Sequence, residues 1–343
     1  MRSLWVHTGV LGLAGALGLW VSSSDEKENS DSTLVDRVEV WAGSPDSIEA
    51  IRFEAPQRTV VLEPKKDGQG RYYVGKIDKE EGARHEEESP SPHGRPPAPV
   101  APVTPGKRTT IRFIGVKGAD ELAKQLAPLM ALRKIGPIDP KRAEEFGLDK
   151  PDGTLKVKIG GTEHALVIGG TTPGGQERYA KDVKSGAVYA VAGDLAQSML
   201  GAESRLLERD LHGFQELDVT RVRISGRGKS REIHAMPEKK GGWADGTTPT
   251  KLDETAGNWM TKLERLHVQE YVETPNPPLK PDQLVIRIEY LEGTKPLGFL
   301  ELYKVPGEKG SDYLVKSERT RWAAKVLTSA AEQVDQDVGS VLK

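Results

Sequence analysis

An order of elements that occurs twice along the chain constrains what it can fold into more than any single motif does. The first passage begins with alternating strand patterns at Ile48 to Phe53 and Thr59 to Leu62. It turns at Pro64-Lys65-Lys66-Asp67-Gly68 and continues as an aromatic strand at Arg71 to Val74. A helix follows, with Leu122, Leu126 and Leu129 at i, i+4 and i+7 on one face. The second passage runs through Val219 to Ile224 and Ile233 to Met236, turns at Pro237-Glu238-Lys239-Lys240-Gly241, and reaches an aromatic residue at Trp243. Trp259, Leu263 and Leu266 then repeat the helical spacing. Any amphipathic helix offers that spacing, but strand order, turn chemistry and aromatic position agree with it, and together they predict a duplication.

Each passage is followed by a unit that also recurs. In the first, Leu155, Val157 and Ile159 alternate with lysines, Gly160-Gly161 turns the chain, Ala165 to Ile168 returns it, and further strands lie around Tyr179 and at Val188 to Val191. The later unit has Leu284 to Tyr290, Leu297 to Val305, Tyr313 to Val315 and a strand through Trp322. Both read as antiparallel meanders closed by a helix, the first capped by Asp194 with Gln197 reaching back, the second by Ser329 with Glu332. Helices come after runs of strands rather than alternating with each strand, which makes the fold class α+β and not a doubly wound parallel sheet. The lysine alternation in LKVKI predicts sheets with one wet face and helices packed on the other.

The amino-terminal run Leu4 to Val21 sets where such a body sits. Eighteen residues rise about 27 Å as a helix, close to a bilayer core, whereas the apolar region of a secretory signal is roughly 7 to 15 residues long. Length favours an anchor over a cleaved signal, and Val21-Ser22-Ser23 is only a passable cleavage step. Arg2 precedes the run while Asp25, Glu26 and Glu28 follow it, so the positive-inside rule puts the amino terminus in the cytoplasm and the body outside it. The expected organisation is an anchor at 1–22, a polar stalk at 23–34, a first α+β half at 35–212 and a second at 213–343. The first half carries a charged, proline-rich disordered insert at 78–107, and Arg205 to Leu217 is the expected hinge.

Composition narrows the chemistry. Charged residues make up 29% of the 343 and the net charge is −2, which gives nucleic acid no polybasic surface. The absence of cysteine removes disulfides, thiol nucleophiles, thiolate metal sites and lipoprotein attachment together. Gly226-Arg227-Gly228-Lys229-Ser230 ends like a phosphate loop, but Arg223 stands where the first glycine belongs and a strand follows. Gly169 to Gly175 reads as a hairpin loop. His164, His212, His234 and His267 have no metal-ligand spacing, and His85 and His93 lie in the insert. Asp335 and Asp337 lack the partners of a calcium loop and read as a solvated helix end, and Ser225 has no histidine at a defined spacing. The expected site inventory is therefore empty: no catalytic, cofactor or metal residue.

One segment carries a specific resemblance. Pro140 to Pro151, PKRAEEFGLDKP, reads as a short helix from Lys141 to Phe146 ended by Gly147, with Leu148 folding back on it. With LKVKIGG, HALVIGG, RYAKD, AVYAV, DLAQSML and RLLERDL behind it, Pro137 to Leu211 resembles the bacterial family of domain of unknown function 4340, Phe146 standing where members carry tyrosine. The resemblance implies a single-pass inner-membrane protein with a periplasmic body that accompanies gliding-type or polysaccharide-related ABC transport systems, and it implies no catalytic residue. The leading expectation is a noncatalytic accessory or scaffold subunit with protein partners. The alternatives are a freestanding ligand- or glycan-binding module using Trp243, Trp259 and Trp322, and an envelope hydrolase using carboxylates such as Asp210 or Asp282.

Overall fold

A computed structural model describes residues 37–80, 108–239, 241–275, 277–307 and 310–343. The expected anchor, the stalk and most of the insert lie outside these residues. Among the described residues, no helix is long and apolar enough to cross a membrane.

The chain builds two large antiparallel sheets, each wound outward from its centre. In the first, β2 (Ile48–Ala55), β3 (Arg58–Asp67), β4 (Gly70–Glu80) and β5 (Arg108–Gly115) step to one edge. Helix α1 (Lys117–Leu126) then carries the chain past β6 (Leu129–Ala131) to β7 (Arg133–Gly136) at the opposite edge. A short helix, α2 (Pro140–Glu145), returns it to the middle, where β8 (Gly153–Ile159) pairs with β2. The strands β9 (Thr162–Thr171), β10 (Glu177–Asp182) and β11 (Val188–Ala192) meander out until β11 lies beside β7. Helices α3 (Gly193–Leu200) and α4 (Ala202–Arg205) close the half. A separate strand, β1 (Val38–Trp41), pairs with β6.

The second sheet follows the same route. The strands β12 (Arg221–Gly226), β13 (Lys229–Met236) and β14 (Gly242–Asp245) step outward, and α5 (Glu254–Leu263) leads to β15 (Val268–Val272) at the far edge. Strand β16 (Leu284–Glu292) returns beside β12. Then β17 (Lys295–Gly307), β18 (Gly310–Ser317) and β19 (Ala323–Val326) run out to β15, and α6 (Thr328–Val341) packs on α5. The order is β4-β3-β2-β8-β9-β10-β11-β7 in one sheet and β14-β13-β12-β16-β17-β18-β19-β15 in the other, with β5 the one strand of the first that has no counterpart among the described residues.

Alternation decides the faces. Leu155, Val157 and Ile159 are buried while Lys156 and Lys158 between them meet Glu54 and Glu49 on the wet face. On the second sheet Arg221 and Arg223 pair across strands with Glu232 and Glu289, and Arg287 pairs with Glu301 across strands and with Glu289 along its own. The buried faces join one hydrophobic core that takes in Phe53, Tyr73, Phe113 and Leu126 from the first half and Trp259, Ile286 and Tyr313 from the second.

Several local expectations are corrected. The turn after Pro64 is a longer hairpin: β3 runs to Asp67, and Gln69 N–H donates to the Asp67 carboxylate, so Pro64 and both lysines are strand residues. The insert starts later than residue 78, because Asp78 to Glu80 pair with Thr110 to Arg108. Asp194 and Ser329 do not cap their helices, which begin at Gly193 and Thr328, so both residues fall inside the first turn. Trp322 precedes β19 rather than lying in it. The helix before the Gly147 stop runs Pro140–Glu145 and is capped by Asp139, which accepts from Arg142 N–H at 2.9 Å. Gly147 has φ +65°, and Leu148 N–H donates to Ala143 O at 2.9 Å, which closes the turn.

The expected hinge is a cemented junction instead. Leu206, Leu207 and Leu211 are buried, and Gly118 lies so close to the Arg205 carbonyl that any Cβ there would overlap it. Glu208, 7% exposed, accepts from Arg319 of the second half at 2.7 Å and from Lys117 N–H of the first at 3.2 Å. Tyr271 on β15 donates its hydroxyl to Glu208 O at 2.9 Å. At a second point the β3–β4 hairpin reaches across, Asp67 meeting Arg321 at 2.9 Å while the guanidinium lies 4.4 Å over the Tyr72 ring.

Candidate functional site

A cleft of about 610 Å³ opens where this junction meets the second half. Its floor is apolar and comes from three directions: Trp243 from β14, Met260 and Leu263 from α5 with Leu266 just beyond it, and Tyr290 from β16. The amphipathic spacing of α5 aims Met260 and Leu263 at the sheet, and the alternation of β16 turns Tyr290 to the same side. Lys117, Asp210, Glu216, Glu264, His267 and Arg319 supply the polar part of the lining.

His212 is the most constrained polar residue here. Its Nδ1 lies 3.1 Å from Glu318 Oε1, and the Glu318 side chain is 7% exposed. Glu318 also accepts from Gly213 N–H at 3.3 Å and Phe299 N–H at 3.0 Å. Such a carboxylate is an acceptor, so Nδ1 carries the proton and Nε2 is the nitrogen left for other contacts. The ring is stacked on Phe214 at 4.7 Å and meets Tyr290 edge-on at 4.6 Å. Burial, with the charges of Glu318 and Glu264, pushes the Tyr290 hydroxyl up, which keeps it a neutral phenol. At the rim, desolvation and the like charge of Glu216 raise the Glu264 carboxyl above the usual range. No serine, threonine or cysteine lines the cleft among the described residues, and the hydroxyl that accompanies the His212–Glu318 pair is the phenol of Tyr290. The arrangement offers a visitor an aromatic, apolar floor and fixed hydrogen-bonding groups at the edge.

The residues singled out from sequence are distributed unevenly around this cleft. Trp243 lines it, Trp259 is core with its indole N–H on Val334 O at 3.1 Å, and Trp322 sits at the junction under Arg112. Asp210 is on the lining, whereas Asp282 lies in an exposed one-turn helix, Pro281–Gln283. His212 and His267 both reach the cleft, His164 stacks on Trp41, and His234 faces Glu232. No group of three metal-ligating side chains gathers among the described residues. Asp335 is not a solvated helix end. It is 8% exposed and accepts from Tyr313 Oη at 2.8 Å, Lys304 at 3.0 Å and Arg227 at 2.6 Å, and these contacts hold its carboxyl below the usual range against the cost of burial. Gly226 to Ser230 is a tight hairpin, with Arg227 and Gly228 at φ 50° and 73° between β12 and β13. Glu318 had no sequence signal, because its partner His212 lies 106 residues away.

The family model described as "Domain of unknown function (DUF4340)" matches residues 119–284, from α1 through the junction to the start of β16. No curated protein and no solved structure matches the chain.

Proposed function

From membership of the family of domain of unknown function 4340, we propose that the chain is a noncatalytic, membrane-anchored accessory or scaffold subunit whose body lies outside the cytoplasm and serves a transport or envelope complex. The observation that carries the reading is the pairing of the apolar run Leu4 to Val21 with a body whose two halves are bound together through buried Glu208. A tethered partner surface needs a fixed relation between its faces, and this junction supports one. The test is purification of the full-length tagged protein in mild detergent from its native host, with mass spectrometry against a form lacking Met1 to Ser22. Enrichment of a transporter permease, its ATPase or a large auxiliary protein with the full-length form alone is the expected result. Recovery of the protein by itself overturns the reading. The cleft beside His212 favours a second reading, a ligand-binding module, with Trp243 as the tryptophan available to a ligand.

A further inference from the structure

The two sheets share a route, so each place in one half can be compared with its counterpart in the other. Trp41 lies four residues before Pro45, which opens the one-turn helix leading into β2, and His212 lies four residues before Glu216, which opens the one-turn helix leading into β12. The flanking pairing agrees: Val38 pairs with Ala131 beyond α1, and Arg209 O accepts from Val268 N–H at 3.1 Å beyond α5. Register extends the match to the floor. Ile51 pairs with Leu62 and Val157, and Val222 pairs with Ile233 and Tyr290, so Val157 and Tyr290 are equivalent. Two residues further along the outer strands, Tyr73 opposite Pro64 corresponds to Trp243 opposite Ala235.

In the first half this place is closed. The indole of Trp41, 5% exposed, stacks on His164 at 5.0 Å, its strand pairs with buried Leu129, and its N–H donates to Leu126 O, the last carbonyl of α1, at 2.7 Å. In the second half the same backbone position carries His212, whose ring is drawn to Glu318 and Tyr290, and the place is the open cleft. Leu263 O, the counterpart of Leu126 O, accepts from Leu266 N–H at 3.0 Å and has a second lone pair.

We propose that this cleft receives the indole ring of a tryptophan side chain presented by a partner polypeptide, which lies on the floor of Trp243, Met260 and Tyr290 and donates its N–H to Leu263 O. The chain itself displays the occupant's geometry in its other half, where the indole arrives on an extended segment, β1. The volume of about 610 Å³ exceeds an indole and leaves room for flanking backbone, within the range of roughly 300–1,000 Å³ common for binding sites. The mixed charges of Lys117, Glu216 and Glu264 at the opening suit the amide groups of a peptide. The inference goes beyond the anchored-subunit reading: it shares with that reading the need for a polypeptide partner but requires neither the anchor nor a transport complex, and the probe titration reads the cleft whatever the co-purification recovers.

The probe is N-acetyl-tryptophanamide, titrated into the full-length protein in detergent and followed by saturation-transfer NMR. Two variants plug the cleft from different sides: His212→Trp, which restores the first half's solution, and Met260→Trp on α5. Folding of each is checked by circular dichroism, so one that fails to fold leaves the other as the test. The expected result is saturable binding that is lost in the folded plug variants. Methylation of the indole nitrogen weakens it about five- to tenfold, the effect of one hydrogen bond. N-acetyl-phenylalaninamide binds more weakly still. Absence of saturation by about 10 mM probe overturns the proposal. So does binding that survives in a folded plug variant, or an N-methyl probe that binds as well as the parent.

Discussion

Replacing Glu208 tests whether the junction holds the two halves together. The Glu208 side chain is 6% exposed and that of Arg319 is 17% exposed, and Arg319 Nε already lacks a partner among the described residues. Removing the carboxylate strands the guanidinium in a poorly hydrated place and strips Lys117 N–H and Asp210 N–H of their acceptor. Breaking a buried pair from one side costs about 3–5 kcal/mol, and the residual exposure of Arg319 puts Glu208→Ala near the lower end, about 3 kcal/mol. Glu208→Gln keeps an oxygen for one donor and should cost about half of that. Glu208→Leu with Arg319→Leu removes both charges and should cost less than Glu208→Ala alone, since no charge is then left uncompensated. The assay is urea unfolding of the full-length protein in detergent followed by tryptophan fluorescence, with Trp41 reporting on the first half and Trp243, Trp259 and Trp322 on the second. Besides losing stability, Glu208→Ala should split the transition, because the two halves would no longer unfold as one unit. A loss under about 1 kcal/mol with a single transition, or a Gln variant as damaged as Ala, would refute the reasoning.

Other substitutions test other parts of the frame. Trp259→Ala should cost about 3–5 kcal/mol in the same unfolding assay, because the ring is 1% exposed and its N–H is bonded to Val334 O, whereas Trp259→Phe should retain most of the burial. Gly147→Ala should cost about 1–2 kcal/mol from its left-handed φ alone, with more from a Cβ placed 2.9 Å from Gly170 N, and thermal unfolding would register both. Asp245 is lowered from 3.8 to about 2 by the Thr247 hydroxyl, the Thr247 N–H and Arg231. The folded state therefore binds this proton more weakly than the unfolded chain, and the stabilisation is present above pH 3.8 and lost as pH falls toward 2. Asp245→Asn should flatten that part of the stability–pH curve, and an unchanged acid limb would dismiss Asp245 as a contributor.

What could be read along the chain was local, and what could not was an arrangement between distant residues. Ile48 to Phe53 announces β2 because alternation is a property of neighbours, and Gly147 stops α2 because its backbone freedom is its own. Strands β5 and β7 leave no such mark because they are edge strands, where Arg108, Thr110, Arg133 and Lys134 blur the apolar alternation. Asp335 looks like a solvated helix end in sequence for a different reason: Tyr313, Lys304 and Arg227 reach it from two hairpins that sequence spacing gives no cause to bring to α6. The candidate site is the hardest case, since a cleft is made by a group that is missing. Nothing near His212 distinguishes it from any surface histidine. Its meaning appears only when β1 and the segment before β12 are laid on the same place in two sheets, and one is found to carry an indole where the other carries an imidazole drawn aside by Glu318. The sequence signal that could have found it was the duplication itself, extended by one step: align the residues ahead of each first strand, and ask which large core residue in one copy has a smaller, polar partner in the other.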